Sequence, residues 1–174
     1  MDRHSRIAGR RCLFPGRRMA GSLIRFTLAG TVATLAYIIL TDQLPRNMFR
    51  GKAASFATDS RALAAARRAV EMGWDLGAPE PDRQFFYMPF EHSEDPADQS
   101  LAVKLMEERM PSDPEMALHA RAHQYVIARF GRFPGRNQAM ARFSTPEEQD
   151  WLDAGGYAAE VRRMTEGNSH APGA

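Results

Sequence analysis

Residues 95–131 read DPADQSLAVKLMEERMPSDPEMALHARAHQYVIARFG, and the spacing predicts two helices back to back. Asp95-Pro96 and Asp113-Pro114 each set a carboxylate one residue before a proline. That order opens a helix: the side-chain oxygen takes a free first-turn N–H, and proline gives up an N–H that has no partner there anyway. The first helix runs to about Met110, with Leu101, Leu105 and Met106 on one face. The second carries Leu118, Ala122, Tyr125, Val126 and Phe130 at helical spacing and ends at Gly131. The short link between them makes them antiparallel neighbours.

The same punctuation recurs on both sides. Thr145-Pro146-Glu147-Glu148 is a helix start, bringing in Trp151 and Leu152, and Gly155-Gly156 stops it. A further turn or two is expected around Tyr157 to Met164. Upstream, Asp59 is expected to cap a helix over roughly 60–72, with Ala62, Leu63, Ala66, Ala69 and Val70 as a small-residue face and Gly73 at its end. Pro79 and Pro81 mark the first turn of another, which carries Phe85, Phe86, Tyr87 and Met88 and is kinked or ended by Pro89. A first helix over about 20–44, broken near Gly30 and ended by Pro45, is apolar on most sides in its second half (Val32, Leu35, Tyr37, Ile38, Ile39, Leu40) and is expected at the centre of the bundle. No convincing period-two run appears. The fold class is all-α: a compact antiparallel array of about six helices over residues 20–164, with a flexible basic leader at 1–19 and a disordered tail at 165–174.

Charge is unevenly placed along the 174 residues. The net formal charge is +2, yet residues 1–25 hold seven arginines against one acid, so the body is net negative. A negative body with no basic stripe of interleaved aromatics argues against nucleic-acid binding. The one cysteine, Cys12, excludes an intramolecular disulfide and any cysteine-pair metal site. A cytoplasmic location follows as the expectation. Residues 23–40 form the one candidate single-pass membrane anchor, which would put the protein in the inner membrane. The fifteen uncharged residues from Phe26 to Leu40 fall short of the roughly twenty a span needs, and a buried helix explains them at least as well.

Chemistry-bearing residues gather where helices end. Asp42, Gln43, Arg46 and Asn47 follow the first helix; Glu91-His92-Ser93-Glu94-Asp95 joins the third to the fourth; Arg129 to Asn137 follow the fifth. In an antiparallel stack such ends meet on one side.

Several of these runs carry a resemblance. LTDQLPRN at 40–47, FRG at 49–51, SFATD at 55–59, MPFEHSED at 88–95, RFGRFPGRN at 129–137 and STPEE at 144–148 together resemble the bacterial domain-of-unknown-function family 924 over roughly residues 20–155. The resemblance implies an all-helical, tetratricopeptide-like fold. It brings no activity, substrate or cofactor. Two departures stand out: the family's opening aromatic-rich segment is missing, implying a truncated or different start, and Gly135 stands where the family tends to carry histidine.

Three uses of these residues compete. Arg46, Arg132 and Arg136 offer planar forks for carboxylate or phosphate, with Asn47 and Asn137 adding amide bonds. This makes a small anionic ligand or a protein partner the leading expectation. The competing account has the same arginines clamping Glu91, Glu94 and Asp42 to tie loops down. Glu91, His92 and His123 are the candidates for acid–base work in a small hydrolase-like enzyme, with or without a metal ion. His119 and His123 share a helix face, but no spacing matches a defined metal motif, so no metal or cofactor is assigned. Phe49, Phe133 and Phe143 are candidate anchors for a partner.

Overall fold

The computed structural model describes residues 28–169, and the side chains of 28–167. Its α-helices are α1 (28–38), α2 (Leu44–Met48), α3 (Asp59–Met72), α4 (Met88–Glu91), α5 (Pro96–Arg109), α6 (Pro114–Phe130), α7 (Pro146–Asp153) and α8 (Gly156–Ser169). A π-turn at Ile39–Gln43 joins α1 to α2, and 3-10 turns occupy Ala53–Phe56, Asp75–Gly77, Asp82–Phe86 and Pro134–Arg136. There is no strand among the described residues. The all-α array is as expected, and α1, α3, α5, α6, α7 and α8 are the elements of eight residues or more. The expected leader at 1–19 lies outside the described residues, as do the last five residues of the expected tail.

Local signals hold best where a cap or a glycine sets the end. The Asp95 carboxylate accepts from Ala97 N–H at 2.8 Å, and Thr145 and Glu148 complete a reciprocal capping box. Gly73 and Gly131 close α3 and α6 in the left-handed conformation, with φ of 66° and 69°, a region glycine enters without a Cβ penalty. Met110–Asp113 turns α5 back onto α6, and the two pack extensively against each other.

The main core is sealed by Ile38 from α1, Ala66 and Ala69 from α3, Phe86, Tyr87 and Phe90 around α4, Ala102, Leu105 and Met106 from α5, and Ala117 and Ala120 from α6. The alanines let helices approach closely, and the three aromatics fill the remaining volume. A smaller cluster of Val126, Ile127 and Phe133 packs with Tyr125, Phe130 and Trp151. One polar network is buried beside the main core. Asp75 accepts from Tyr87 Oη at 2.7 Å and pairs with Arg109 Nη1 at 2.5 Å.

Several expectations change. Pro45 does not end the first helix: the backbone continues through the π-turn to Met48. Proline cannot donate to the Thr41 carbonyl, and the Thr58 hydroxyl donates to it instead. Gly30 does not break the helix; a Cβ there would lie 2.4 Å from the Trp74 indole, so glycine is what lets that ring close on α1. Nor is α1 central, since Val32, Tyr37, Ile39 and Leu40 are exposed. After a cis Glu80–Pro81 bond, Asp82–Phe86 forms a 3-10 helix rather than an α-helix, and Pro89 sits in the first turn of α4 instead of ending a helix. Lastly, Thr58, not Asp59, is the N-cap residue of α3, and α8 is far longer than a turn or two.

The membrane reading of 23–40 also fails where it can be seen. Among the described residues no helix is long and apolar enough to cross a membrane. One side of α1 packs on protein: Thr31 and Ile38 are buried, and the Thr31 hydroxyl donates to Trp74 O at 2.5 Å.

Candidate functional site

The helix ends at 42–46, 91–95 and 133–136 do meet. At their centre is Asp42, with 0% of its side chain exposed. Its Oδ1 lies 2.8 Å from His92 Nδ1 and 3.3 Å from Arg46 Nη2. Burial alone would raise the Asp42 carboxyl, but the bond from His92, with the Arg46 charge behind it, holds it below its ordinary value. His92 Nδ1 is also 3.2 Å from Arg46 Nε, and one ring nitrogen cannot donate and accept at once. We assign its hydrogen to the shorter, charge-assisted bond with Asp42, which leaves Nε2 with its lone pair. Burial lowers the His92 pKa, opposed by Asp42 and assisted by Arg46 and Arg136, so the ring is neutral near pH 7.

Arg46 forms a two-pronged pair with Asp59, both bonds 3.0 Å, and also donates to Ser55 O at 3.1 Å. Its donors are largely committed. Arg136 is placed differently. Its guanidinium lies 4.7 Å from the Phe56 ring and 4.5 Å from the Phe133 ring, stacked between them. It donates to His92 O at 2.9 Å, and its nearest acid oxygen is Asp59 Oδ2, 3.4 Å away and already shared with Arg46. Burial, and then the charge of Arg46, push the Arg136 pKa down to about 10.

Arg136, His92 and Asp59 line an open cleft of about 340 Å³ whose apolar walls are Phe56, Leu63, Pro89 and Met140. Glu94 lies on its rim, gripped by Arg142 at 2.8 and 3.0 Å and by Phe133 N–H at 2.9 Å. Burial would raise Glu94, but these donors hold it low.

Behind His92 lies a second layer. Glu91 is almost fully buried; its Oε2 is 3.7 Å from His123 Nδ1 and its Oε1 has no partner. Burial, with Asp42 adding to it, pushes Glu91 up to about 8, so it is a neutral acid at pH 7. Burial, and then His92, push His123 down to about 3. Its ring centroid is 6.2 Å from that of His92, and its Nδ1 is 3.2 Å from Tyr157 Oη, which also lies 2.8 Å from His119 Nδ1.

The other expected site residues lie elsewhere. Arg132 does not join Arg46 and Arg136: it is clamped to Glu148 at 2.6 and 2.7 Å. Its bond holds the Glu148 pKa down to about 2. Asn137 is buried and serves the same anchor, bonding Ser144 Oγ and Glu148 Oε2. Asn47 is exposed and bonds Gln43 O. Glu148 therefore uses two of the five expected ligand-binding residues to tie the loop after α6 to α7. Of the expected anchors, Phe133 is buried beside Arg136, while Phe143, at 95%, and Phe49 are exposed. A Cβ at Gly135 would meet open space, so packing does not require glycine there.

Asp59, Arg142, Phe56 and Tyr157 are members that sequence reasoning did not assign. Asp59 was legible only as a helix-start acid, and nothing in the sequence pairs Glu94 with Arg142. No group of three or more His, Cys, Asp or Glu among the described residues is arranged to hold a metal ion. A second cleft between α5 and α6, lined by Gln99, Ser100, Arg121 and Gln124, gathers no comparable chemistry.

The family described as "Bacterial protein of unknown function (DUF924)" matches residues 16–156. The solved structure of a protein of unknown function from Agrobacterium tumefaciens is similar at 40% identity and a TM-score of 0.69, over 78% of this chain and 76% of that one. No curated protein matches.

Proposed function

The chain belongs to the DUF924 family of bacterial proteins of unknown function, and on that footing we propose that it binds a small anionic ligand, a carboxylate or phosphate, in the cleft beside Arg136. One observation carries the reading. Arg136 lines the cleft, and its carboxylate pairing is loose, 3.4 Å to an oxygen that Arg46 already holds. Two aromatic rings fix its plane, so little freedom is lost when its fork meets a two-oxygen acceptor. Apolar walls with a few aimed polar groups are the usual make-up of a small-ligand site. The wider reading is of a tetratricopeptide-like cytoplasmic module. The antiparallel α5–α6 pair and the single Cys12 support it.

A second reading rests on the 2.8 Å Asp42–His92 contact. A carboxylate that holds an imidazole by Nδ1 leaves Nε2 as a base near neutral pH. With Arg136 holding an anionic group, hydrolysis of a small ester or phosphoester fits this arrangement.

Thermal melting against inorganic phosphate and a panel of small carboxylates tests the first reading. Ligand at a hundred times its Kd should add about 2.7 kcal/mol of stability. Arg136→Met, which keeps an apolar stem between the rings, should abolish that shift and preserve the fold. A wild-type chain whose melting no anion raises would refute anion binding. Turnover of chromogenic esters that disappears in His92→Asn would establish the second reading.

A further inference from the structure

We infer that the outward face of α1 seats a second copy of this chain, packed antiparallel about a two-fold axis near Ala36. The inference is independent of the cleft. From Leu28 to Pro45 the backbone carries one charged residue, Asp42, and it is turned inward and buried. The exposed residues there are apolar: Leu28, Val32, Tyr37, Ile39, Leu40 and Leu44 are 37–60% exposed, and Ala29, Ala33 and Ala36 are exposed with them, while Thr34, Thr41 and Gln43 are half-buried. A helix that faces water carries polar residues on that side. The inward side is already settled by Thr31, Ile38 and the Trp74 ring over Gly30.

Shape and area favour a helix of the same kind as occupant. At 100° per residue the three alanines form the floor of the outward arc, closed at its C-terminal end by Leu40. Leu28, Val32 and Ile39 lie along one side, with Tyr37 along the other. The ridge of one copy fits the alanine floor of the next, and an uncharged face meets itself without like-charge repulsion. An axis at Ala36 sets residues 28–44 against themselves, a span of roughly 25 Å. Half their circumference covers about 500 Å² per copy, or about 1,000 Å² for the pair, the least that a specific interface buries. A lipid surface fits less well. The alanines of this face offer little apolar depth to an acyl layer.

Sedimentation equilibrium of the full chain should give twice 19.5 kDa, and Ala33→Glu should give 19.5 kDa with an unchanged helical circular-dichroism spectrum. In a Cys12→Ser background, Ala36→Cys should cross-link to its own copy under mild oxidation. Ala29→Cys should not, because antiparallel pairing holds the two 29 positions roughly 20 Å apart. A wild-type chain that stays at 19.5 kDa through the micromolar range would overturn the inference. So would a dimer untouched by Ala33→Glu, Ala29→Cys cross-linking in place of Ala36→Cys, or a monomer that sediments with phosphatidylglycerol vesicles.

Discussion

Arg46 serves two acids at once, the fully buried Asp42 and the partly buried Asp59. Removing it leaves Asp42 with only a neutral imidazole and the Gln43 amide as partners. Breaking a buried ion pair from one side is more costly than never having made it, because the remaining charge keeps its desolvation penalty. Arg46→Ala should therefore lower unfolding stability by about 3 kcal/mol, read from the urea midpoint at pH 7. A midpoint unchanged within error would mean that water reaches Asp42. At this scale the sequence was half legible. It put Arg46, Arg132 and Arg136 in one class because all three sit at helix ends. What separates them is the acid each meets in space. Arg132 finds Glu148 sixteen residues on, Arg46 finds Asp59, and Arg136 finds two aromatic rings. Sequence spacing carries none of those distances.

Among elements, legibility follows how local the cause is. α5, α6 and α7 start directly after Asp95, Asp113 and Thr145: Asp95 and Thr145 cap with their side chains, Asp113 makes no side-chain cap bond, and the proline that follows each acts within one turn. The segment 79–91 misleads because proline suits a tight turn as well as a helix start, and the buried Phe86, Tyr87 and Phe90 owe their places to distant helices. α1 misleads differently. Its hydrophobicity promised the centre of the bundle, but only one side is covered. Gly30 shows how that side was chosen, because the Trp74 indole lies where a Cβ would be. Gly30→Ala should cost about 1–3 kcal/mol, the usual penalty of overpacking, although alanine is the better helix former. Thermal melting checks it; a stabilised variant would show that the indole has room to withdraw.

For the whole molecule the buried titrating groups shape stability against pH. The pKa of Glu91 rises from 4.5 unfolded to about 8 folded. The folded state therefore keeps a proton the unfolded chain has lost, and this contribution is full below 4.5 and gone above about 8. The pKa of His123 falls from 6.5 to about 3, so its contribution is full above 6.5 and lost as pH falls towards 3. Asp42, Glu94 and Glu148, all held low, steepen the acid side. Between 4.5 and 6.5 the Glu91 and His123 slopes oppose each other. Urea midpoints should peak in that window and fall on both sides. Glu91→Gln should flatten the alkaline limb alone; an alkaline limb that survives the substitution would assign it to another group.

The helix α6 belongs to both apolar clusters: Ala117 and Ala120 sit in the larger, Val126 and Ile127 in the smaller. Dependence between them runs one way. The larger cluster fixes α6 through its first half, whether or not anything rests on the second. The smaller has no floor without that rod. Breathing motions are thus ranked: α7 and α8 can swing off while the remainder stands, and the reverse order is closed. Since Tyr157 rides on α8 and bonds His123, each such excursion would open the rear layer to solvent and admit water towards the unpartnered oxygen of Glu91.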